Sequence, residues 1–180
     1  GLSEREAVKE GFQIASALVP AGDKAHYYPG TRDIIIKLIA DKTTKKLLGA
    51  EIVGEGVVDK RIDIIATALT FGATVDQVSK LDLAYAPPYA MSMDAVIVAA
   101  NVLGNKLSGK TMGILPHEVA ERLDRGEDFV LLDVRTEMEY QSGHIKESRH
   151  IPLDKLASRT HELDSSKEII TYCRAGLRAA

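Results

Sequence analysis

The chain has 180 residues, 23 of them basic and 26 acidic, so its formal net charge is −3. Apolar residues make up 45% and charged residues 27%, which is the composition of a globular protein and not of a disordered one. The mild negative charge argues against a nucleic-acid partner, and no apolar run approaches the roughly 18 residues of a membrane span. No basic start is followed by an apolar secretory segment, so we predict a cytoplasmic location and no membrane partner.

The first half of the chain, residues 1–104, predicts an α+β arrangement with an antiparallel sheet plus helices. The polar run 41–46 between two apolar runs is typical of a hairpin turn. The predicted elements, in chain order, are strands over 33–40 and 48–53, a helix over 59–71 that Gly72 ends, a short helix opened by the capping-box pair Thr74 and Gln77, and a helix over 93–103.

The second half, residues 113–180, alternates strands and helices, which indicates an α/β domain with a parallel sheet. The continuous apolar run 129–134 is typical of a strand buried on both faces. The other predicted elements are helices over 116–125 and 153–163, a short helix opened by the capping-box pair Thr136 and Glu139, and a strand over 169–172 that leads to Cys173.

We place a linker at residues 105–112, because the stretch from Gly104 to Lys110 is polar and contains glycine. The chain stops directly after the turn that follows Cys173, and it begins equally abruptly at Gly1. We therefore expect the C-terminal domain to be truncated and the sequence to be part of a longer protein.

Cys173 is the single cysteine, so no intrachain disulfide or CxxC pair can form. A loop that leads from a strand towards a helix start leaves backbone N–H groups unpaired, and these favour a thiolate together with Arg174 and Arg178. Gly176 permits the torsions of a tight loop. The alternative is a buried, inert cysteine followed by surface arginines.

Four motifs in the second half resemble a rhodanese domain in order and spacing: DVRTEMEY at 133–140, GHI at 143–145, IPL at 151–153 and YCRAGLR at 172–178. The resemblance implies a sulfurtransferase in which Cys173 accepts a sulfane sulfur as a persulfide. It further implies that Arg174 and Arg178 favour anionic donors, and that Asp133 and Arg135 brace the site. The residues 147–150 depart from the small residues that the family often has there. Related phosphatases have a loop one residue longer, so the four residues between Cys173 and Arg178 favour sulfur chemistry.

Residues 1–104 resemble the C-terminal dimerisation domain of the pyridine-nucleotide disulfide oxidoreductases, in the branch of coenzyme A disulfide reductases and NADH oxidases. The motifs are HYYPG at 26–30, LGA at 48–50, DKRID at 59–63 and LAYAPPY at 83–89. The resemblance implies a homodimer formed through residues 1–104. It also implies that Tyr27 and Tyr85 approach the coenzyme A sulfur at the active site of the partner subunit. If the register of the resemblance is displaced, Tyr28 and Tyr89 take this role instead. The alternative is that Tyr27 and Tyr85 only pack in their loops.

No GxGxxG motif follows a strand, so the FAD and NAD(P)H that the family implies belong to the parent protein, and no cofactor is bound wholly within this chain. The main interpretation is a coenzyme A disulfide or persulfide reductase fused to a rhodanese site. The alternatives are an NADH oxidase or peroxidase with an accessory rhodanese module, or a non-catalytic docking module. The five histidines lack metal-ligand spacing, so we predict no metal and expect His144 to be structural. The remaining expectation is that three histidines lie at the surface: His117, His150 and His161.

Overall fold

A computed structural model describes residues 1–114, 116–174, 176 and 178–179. The chain divides into two compact units, an N-terminal unit over Gly1–Met112 and a C-terminal unit over Gly113–Ala180. Each unit has its own apolar core.

The N-terminal unit is an antiparallel three-stranded sheet, in the order β1-β2-β3, with helices packed on it. Its elements are α1 (Glu4–Lys9), β1 (Ile14–Gly22), β2 (Asp33–Asp41), β3 (Leu47–Gly54), α2 (Asp59–Thr70), α3 (Val75–Ser79) and α4 (Ala95–Leu107). The predicted strands and helices are confirmed, whereas α1 and β1 were not predicted.

The core of this unit joins alternate residues of β2 to one face of α4. Ile34, Ile36 and Leu38 point to the same side of the sheet and are fully buried. Val96 and Leu103 of α4 belong to the same cluster. Burying an aliphatic side chain of this size contributes about 2 kcal/mol, so this layer supplies much of the stability of the unit.

Helix α4 extends four residues beyond the predicted end at 103. Leu107 packs against the core and therefore continues the buried face of the helix past Gly104. Residues 105–107, which we had placed in the linker, are thus helical, and Gly109, with φ +71°, follows the helix end.

The C-terminal unit is a parallel sheet in the order β5-β4-β6, as predicted. Its elements are α5 (Pro116–Asp124), β4 (Phe129–Asp133), α6 (Glu137–Ser142), β5 (Arg149–His150), α7 (Leu153–Arg159), a 3₁₀ helix (Thr160–Glu162) and β6 (Glu168–Tyr172). The two-residue strand β5 was not predicted, and the predicted helix over 153–163 is divided into α7 and the 3₁₀ helix.

Strand β4 is central and buried on both faces, as its apolar run predicted. Leu131 packs with Val119 and Ile170 on one side, whereas Leu132 packs with Ile151 on the other. The carboxyl ends of parallel strands meet at one edge of a sheet. Asp133 at the end of β4 therefore lies beside the end of β6, just before Cys173.

Candidate functional site

The cysteine loop begins directly after β6. Cys173 is partly buried, and its Sγ accepts the backbone N–H of Gly176 at 3.1 Å. Gly176 has φ +82°, a conformation that glycine adopts without strain. The motif residues Ala175 and Leu177 lie outside the described residues. A backbone N–H aimed at the sulfur stabilises negative charge there, as a thiolate or persulfide requires.

Arg178 is held at the end of this loop by Glu139 of α6. Its Nη1 donates to Oε2 at 2.8 Å and its Nη2 to Oε1 at 2.7 Å. These bonds, together with the charge and hydrogen bonding of Cys173, raise the pKa of Arg178 against the opposing effect of burial. Arg174 is exposed at the start of the loop. The structure thus places one of the two predicted arginines in contact with the cysteine side chain.

Glu139 is a site residue that the sequence analysis missed in this role. Its spacing from Thr136 predicted a capping box, which the structure confirms. Oε2 accepts the backbone N–H of Thr136 at 3.0 Å and its hydroxyl at 2.8 Å. The hydrogen bonds from Arg178 and then those from Thr136 hold the pKa of Glu139 far below its ordinary value. The carboxylate is therefore charged and fixed in place.

Asp133 and Arg135, the pair predicted to brace the site, bind each other at the end of β4. Arg135 donates from Nε to both carboxylate oxygens at 3.0 Å and from Nη2 to Oδ2 at 2.7 Å, and Nη2 also reaches the carbonyl of Gly143 at 2.8 Å. Burial raises the pKa of Asp133, but the hydrogen bonds from Arg135 and Tyr172, together with the charge of Arg135, outweigh it, and the net pKa is lowered. The guanidinium carbon lies 5.5 Å from the centre of the Tyr172 ring. The brace therefore connects β4 to the residue that precedes Cys173.

Three aromatic rings stack next to this brace. Tyr140 lies between His144, at 3.8 Å between ring centres, and His150, at 4.2 Å. His144, which we expect to be structural, also has its Nδ1 3.0 Å from the carbonyl of Tyr140. The expectation that His150 lies at the surface is wrong, since its side chain is 11% exposed and its Nε2 lies 2.9 Å from the carbonyl of Arg135. His117 and His161 are exposed as predicted.

The two predicted tyrosines of the N-terminal unit line one open cleft. The cleft has a volume of about 310 Å³, and both Tyr27 and Tyr85 are on its wall, 69% and 49% exposed. Lys24 and His26 also line it. Neither Tyr28 nor Tyr89 belongs to the lining of this cleft as described. The geometry therefore brings together the pair that the sequence analysis preferred.

Among the residues that the structure describes, no group of three or more His, Cys, Asp or Glu side chains could hold a metal ion. Within that same part of the chain, no helix is both long and apolar enough to cross a membrane.

Comparison with known proteins identifies both units. The profile of the pyridine nucleotide-disulphide oxidoreductase dimerisation domain matches residues 1–97. The profile of the rhodanese-like domain matches residues 115–180. Both resemblances, and the predicted fold class of an α+β dimerisation domain followed by an α/β rhodanese-like domain, are confirmed.

The chain is similar to several sulfur and coenzyme A reductases. The NAD(P)H sulfur oxidoreductase (CoA-dependent) of Pyrococcus furiosus is 48% identical over 103 residues, which is 57% of this chain and 23% of that protein. The structure of reduced Bacillus anthracis CoADR-RHD matches with a TM-score of 0.92 and 36% identity, over 99% of this chain and 32% of that one. The NAD-dependent persulfide reductase from A. fulgidus matches with a TM-score of 0.87 and 42% identity, over 99% of this chain and 31% of that one.

The chain therefore spans about a quarter of the curated relative and about a third of each solved chain. The matched dimerisation profile, residues 1–97, covers more than half of the 180 residues. The chain belongs to the pyridine nucleotide-disulphide oxidoreductase family, and a rhodanese-like domain follows its dimerisation domain.

Proposed function

We propose that this chain is part of a flavin- and NAD(P)H-dependent coenzyme A disulfide or persulfide reductase in which Cys173 carries sulfane sulfur. The observation that carries the proposal is the arrangement at Cys173, where the Gly176 N–H donates to Sγ and Arg178 lies in contact. Two of the similar proteins, a CoA-dependent sulfur oxidoreductase and a persulfide reductase, support the same substrate class.

The sulfur transfer at Cys173 is a pair of substitutions without net oxidation. The Cys173 thiolate attacks the outer sulfur of a donor R–S–S⁻, a new S–S bond forms, and the donor leaves with its electron pair as R–S⁻. An acceptor thiolate then attacks the outer sulfur of the Cys173 persulfide and restores the thiolate. Arg174 and Arg178 attract anionic donors, and the Gly176 N–H stabilises charge on sulfur in both steps.

The N-terminal unit supplies the second part of the proposal. We assign a homodimer to residues 1–104, with the cleft of Tyr27 and Tyr85 facing the reacting coenzyme A sulfur of the partner subunit. A phenol can donate a hydrogen bond to a sulfur anion or supply a proton to it. The exposure of both hydroxyl-bearing rings on one cleft supports this role.

The FAD and NAD(P)H of the parent protein are assigned to residues outside this chain. The sequence has no glycine-rich turn of the GxGxxG type after a strand, so neither cofactor has its phosphate-binding turn within these residues. We place the protein in the cytoplasm, where thiols and persulfides are kept reduced. Joining the two sites in one chain raises the effective concentration of the Cys173 persulfide at the flavin site.

The test uses the full-length flavoprotein with and without Cys173→Ser. Anaerobic NADH consumption is followed with coenzyme A persulfide as acceptor in the presence of a sulfane donor. We expect Cys173→Ser to abolish sustained turnover that depends on the donor. We also expect mass spectrometry of the peptide that contains Cys173 to show the gain of one sulfur atom with thiosulfate.

The matched control is Ser166→Ala, which removes an exposed hydroxyl in the same unit that is hydrogen-bonded to Asp164, ahead of β6 and outside the cysteine loop. It should leave both readouts at the wild-type level. Unchanged donor-dependent turnover in Cys173→Ser would mean that the flavin site acts alone. The C-terminal unit would then be an accessory or docking module.

A further inference from the structure

Arg61 in the first turn of α2 is buried completely, although its side chain is charged. Nη1 donates to the carbonyl of Val57 at 2.7 Å, and Nη2 donates to the carbonyl of Asp23 at 2.6 Å. Nη2 also reaches Oδ2 of Asp94 at 3.0 Å. One guanidinium therefore connects three separate segments of the N-terminal unit.

Asp23 forms the base of the loop that carries Tyr27. Its backbone N–H donates to the carbonyl of Arg32 at 2.9 Å, and its Oδ1 accepts the N–H of Arg32 at 2.9 Å, which closes the loop. Oδ2 accepts the N–H of Val57 at 3.3 Å. Asp23 is 2% exposed, so these bonds and the one from Arg61 are shielded from water.

Asp94 terminates the irregular segment that carries Tyr85. This segment, residues 81–94, lies between α3 and α4. Asp94 is 2% exposed, and its Oδ1 accepts the N–H of Val96, so it is the N-cap of α4. The ion pair with Arg61 fixes the end of the segment to the start of α2.

From these contacts we infer that Arg61 is a positioning residue that holds the two tyrosine-bearing walls of the cleft at a fixed separation. The inference rests on the proposed function in so far as the cleft receives the coenzyme A sulfur. A buried ion pair is costly to desolvate, and apolar residues of the same volume often stabilise a fold better. The buried Arg61 contributes geometry here, because one guanidinium can bind the bases of both loops at once.

The test is Arg61→Lys in the full-length protein. An ammonium keeps the charge beside Asp94, but it has no planar fork and cannot reproduce the contacts to Asp23 and Val57. We expect amide exchange in residues 23–32 and 81–94 to accelerate about tenfold or more, with little change in β2. We expect kcat/KM for coenzyme A disulfide to fall by about 10- to 100-fold, because a displaced phenol no longer meets the sulfur.

Lys60→Met is the matched control. Lys60 is adjacent in sequence, and its Nζ lies 3.8 Å from Oδ2 of Asp94, but its side chain is 32% exposed. We expect wild-type exchange in both loops and wild-type kcat/KM. If Arg61→Lys does not fold, Asp94→Asn takes its place in the test. This change removes the ion pair but keeps a side-chain oxygen for the α4 cap, and we expect the same faster exchange in the two loops.

The inference fails if exchange in the two loops is unchanged, or if it accelerates equally in β2, because Arg61 would then only stabilise the unit. The role proposed for the cleft at the coenzyme A sulfur fails in a different way, when the Tyr27→Phe/Tyr85→Phe double variant reduces coenzyme A disulfide at the wild-type rate. In that case the exchange measurement still decides whether Arg61 positions the two loops.

Discussion

Arg178 and Glu139 are joined by two parallel hydrogen bonds of 2.8 and 2.7 Å, although 39 positions separate them in the chain. Glu139 is itself bound to Thr136 at the start of α6. The arginine of the cysteine loop is thus oriented by a helix outside the loop. This arrangement makes Glu139 a positioning residue for the chemistry proposed at Cys173.

The first prediction concerns Glu139→Ala. Without the carboxylate, Arg178 loses both hydrogen bonds and is no longer held beside the sulfur, so we expect thiosulfate loading of Cys173 to slow about tenfold. Glu139→Gln keeps one acceptor oxygen and should give an intermediate rate. The measurement is the loading rate of the full-length protein, followed by mass spectrometry of the peptide that contains Cys173.

Glu137→Ala is the control for charge removal on the same helix. Its side chain is 63% exposed and its carboxylate lies 3.6 Å from His150. Wild-type loading is expected. An equal loss of rate in this variant would show that net charge, and not the position of Arg178, determines the loading rate.

The second prediction concerns the brace at the end of β4. Asp133 is fully buried and accepts four hydrogen bonds from Arg135, one of them from its backbone N–H at 2.9 Å. Asp133→Asn leaves the guanidinium without its counter-charge. We expect the free energy of unfolding of the C-terminal unit to fall by about 2–4 kcal/mol. Native-state hydrogen exchange of the β4 amides measures this loss.

Asp128→Asn provides the comparison for the brace. Asp128 is 75% exposed and pairs with Lys167 at the surface, so its loss should cost no more than about 0.5 kcal/mol. A loss in Asp133→Asn no larger than in Asp128→Asn would contradict a structural role for the buried pair.

Local spacing predicted much of the secondary structure. The capping pairs Thr74–Gln77 and Thr136–Glu139 are both present, because a box of this kind depends on residues three positions apart. Strand β1 was missed because Pro20 and a run of small residues obscure its pattern. It is an edge strand, paired only with β2 among the described strands, and an edge is where proline is tolerated in a sheet.

The side-chain network of each unit could not be predicted in the same way. Arg61 meets Asp23 and Asp94 across 38 and 33 positions, so no local pattern identifies the contact. The same holds for the pair of Arg178 and Glu139. The expected exposure of His150 was wrong for this reason too, since the residue pairs with Asp133 of β4 and its ring stacks on Tyr140 of α6.

The third prediction is a pH dependence at Glu162. Hydrogen bonds from Arg159, and then from Arg149, lower its pKa from the ordinary 4.5 to about 2. The folded state therefore binds this proton less readily than the unfolded state. The stabilisation from the Glu162 carboxylate is complete above the pKa that this group has in the unfolded state. It is lost as the pH falls through the pKa of the folded state.

Thermal unfolding measured across this pH window tests the prediction. We expect the Tm of the wild type to fall between about pH 4.5 and pH 2, and the Tm of Glu162→Gln to fall less over the same range. At neutral pH the variant should be the less stable of the two. Parallel curves for the two proteins would contradict the coupling between Glu162 and its arginines.

The fourth prediction separates backbone strain from sulfur chemistry at Gly176. Among the described residues, and apart from its chain neighbours, a methyl group added there would meet no atom within 4 Å, so the cost of Gly176→Ala comes from its φ of +82°. That cost is about 1 kcal/mol, and relaxing it turns the N–H away from Sγ of Cys173. We expect a small loss of stability together with a several-fold slower loading of Cys173.

Gly126→Ala is matched to this change. Gly126 has φ +66° and follows α5, and an added methyl group would likewise meet no described atom within 4 Å beyond its chain neighbours. The Gly126→Ala variant should lose a similar amount of stability, and thiosulfate should load its Cys173 at the wild-type rate. The two variants therefore carry the same strain at different places, and equal loading rates would mean that the Gly176 N–H contributes nothing to the sulfur site.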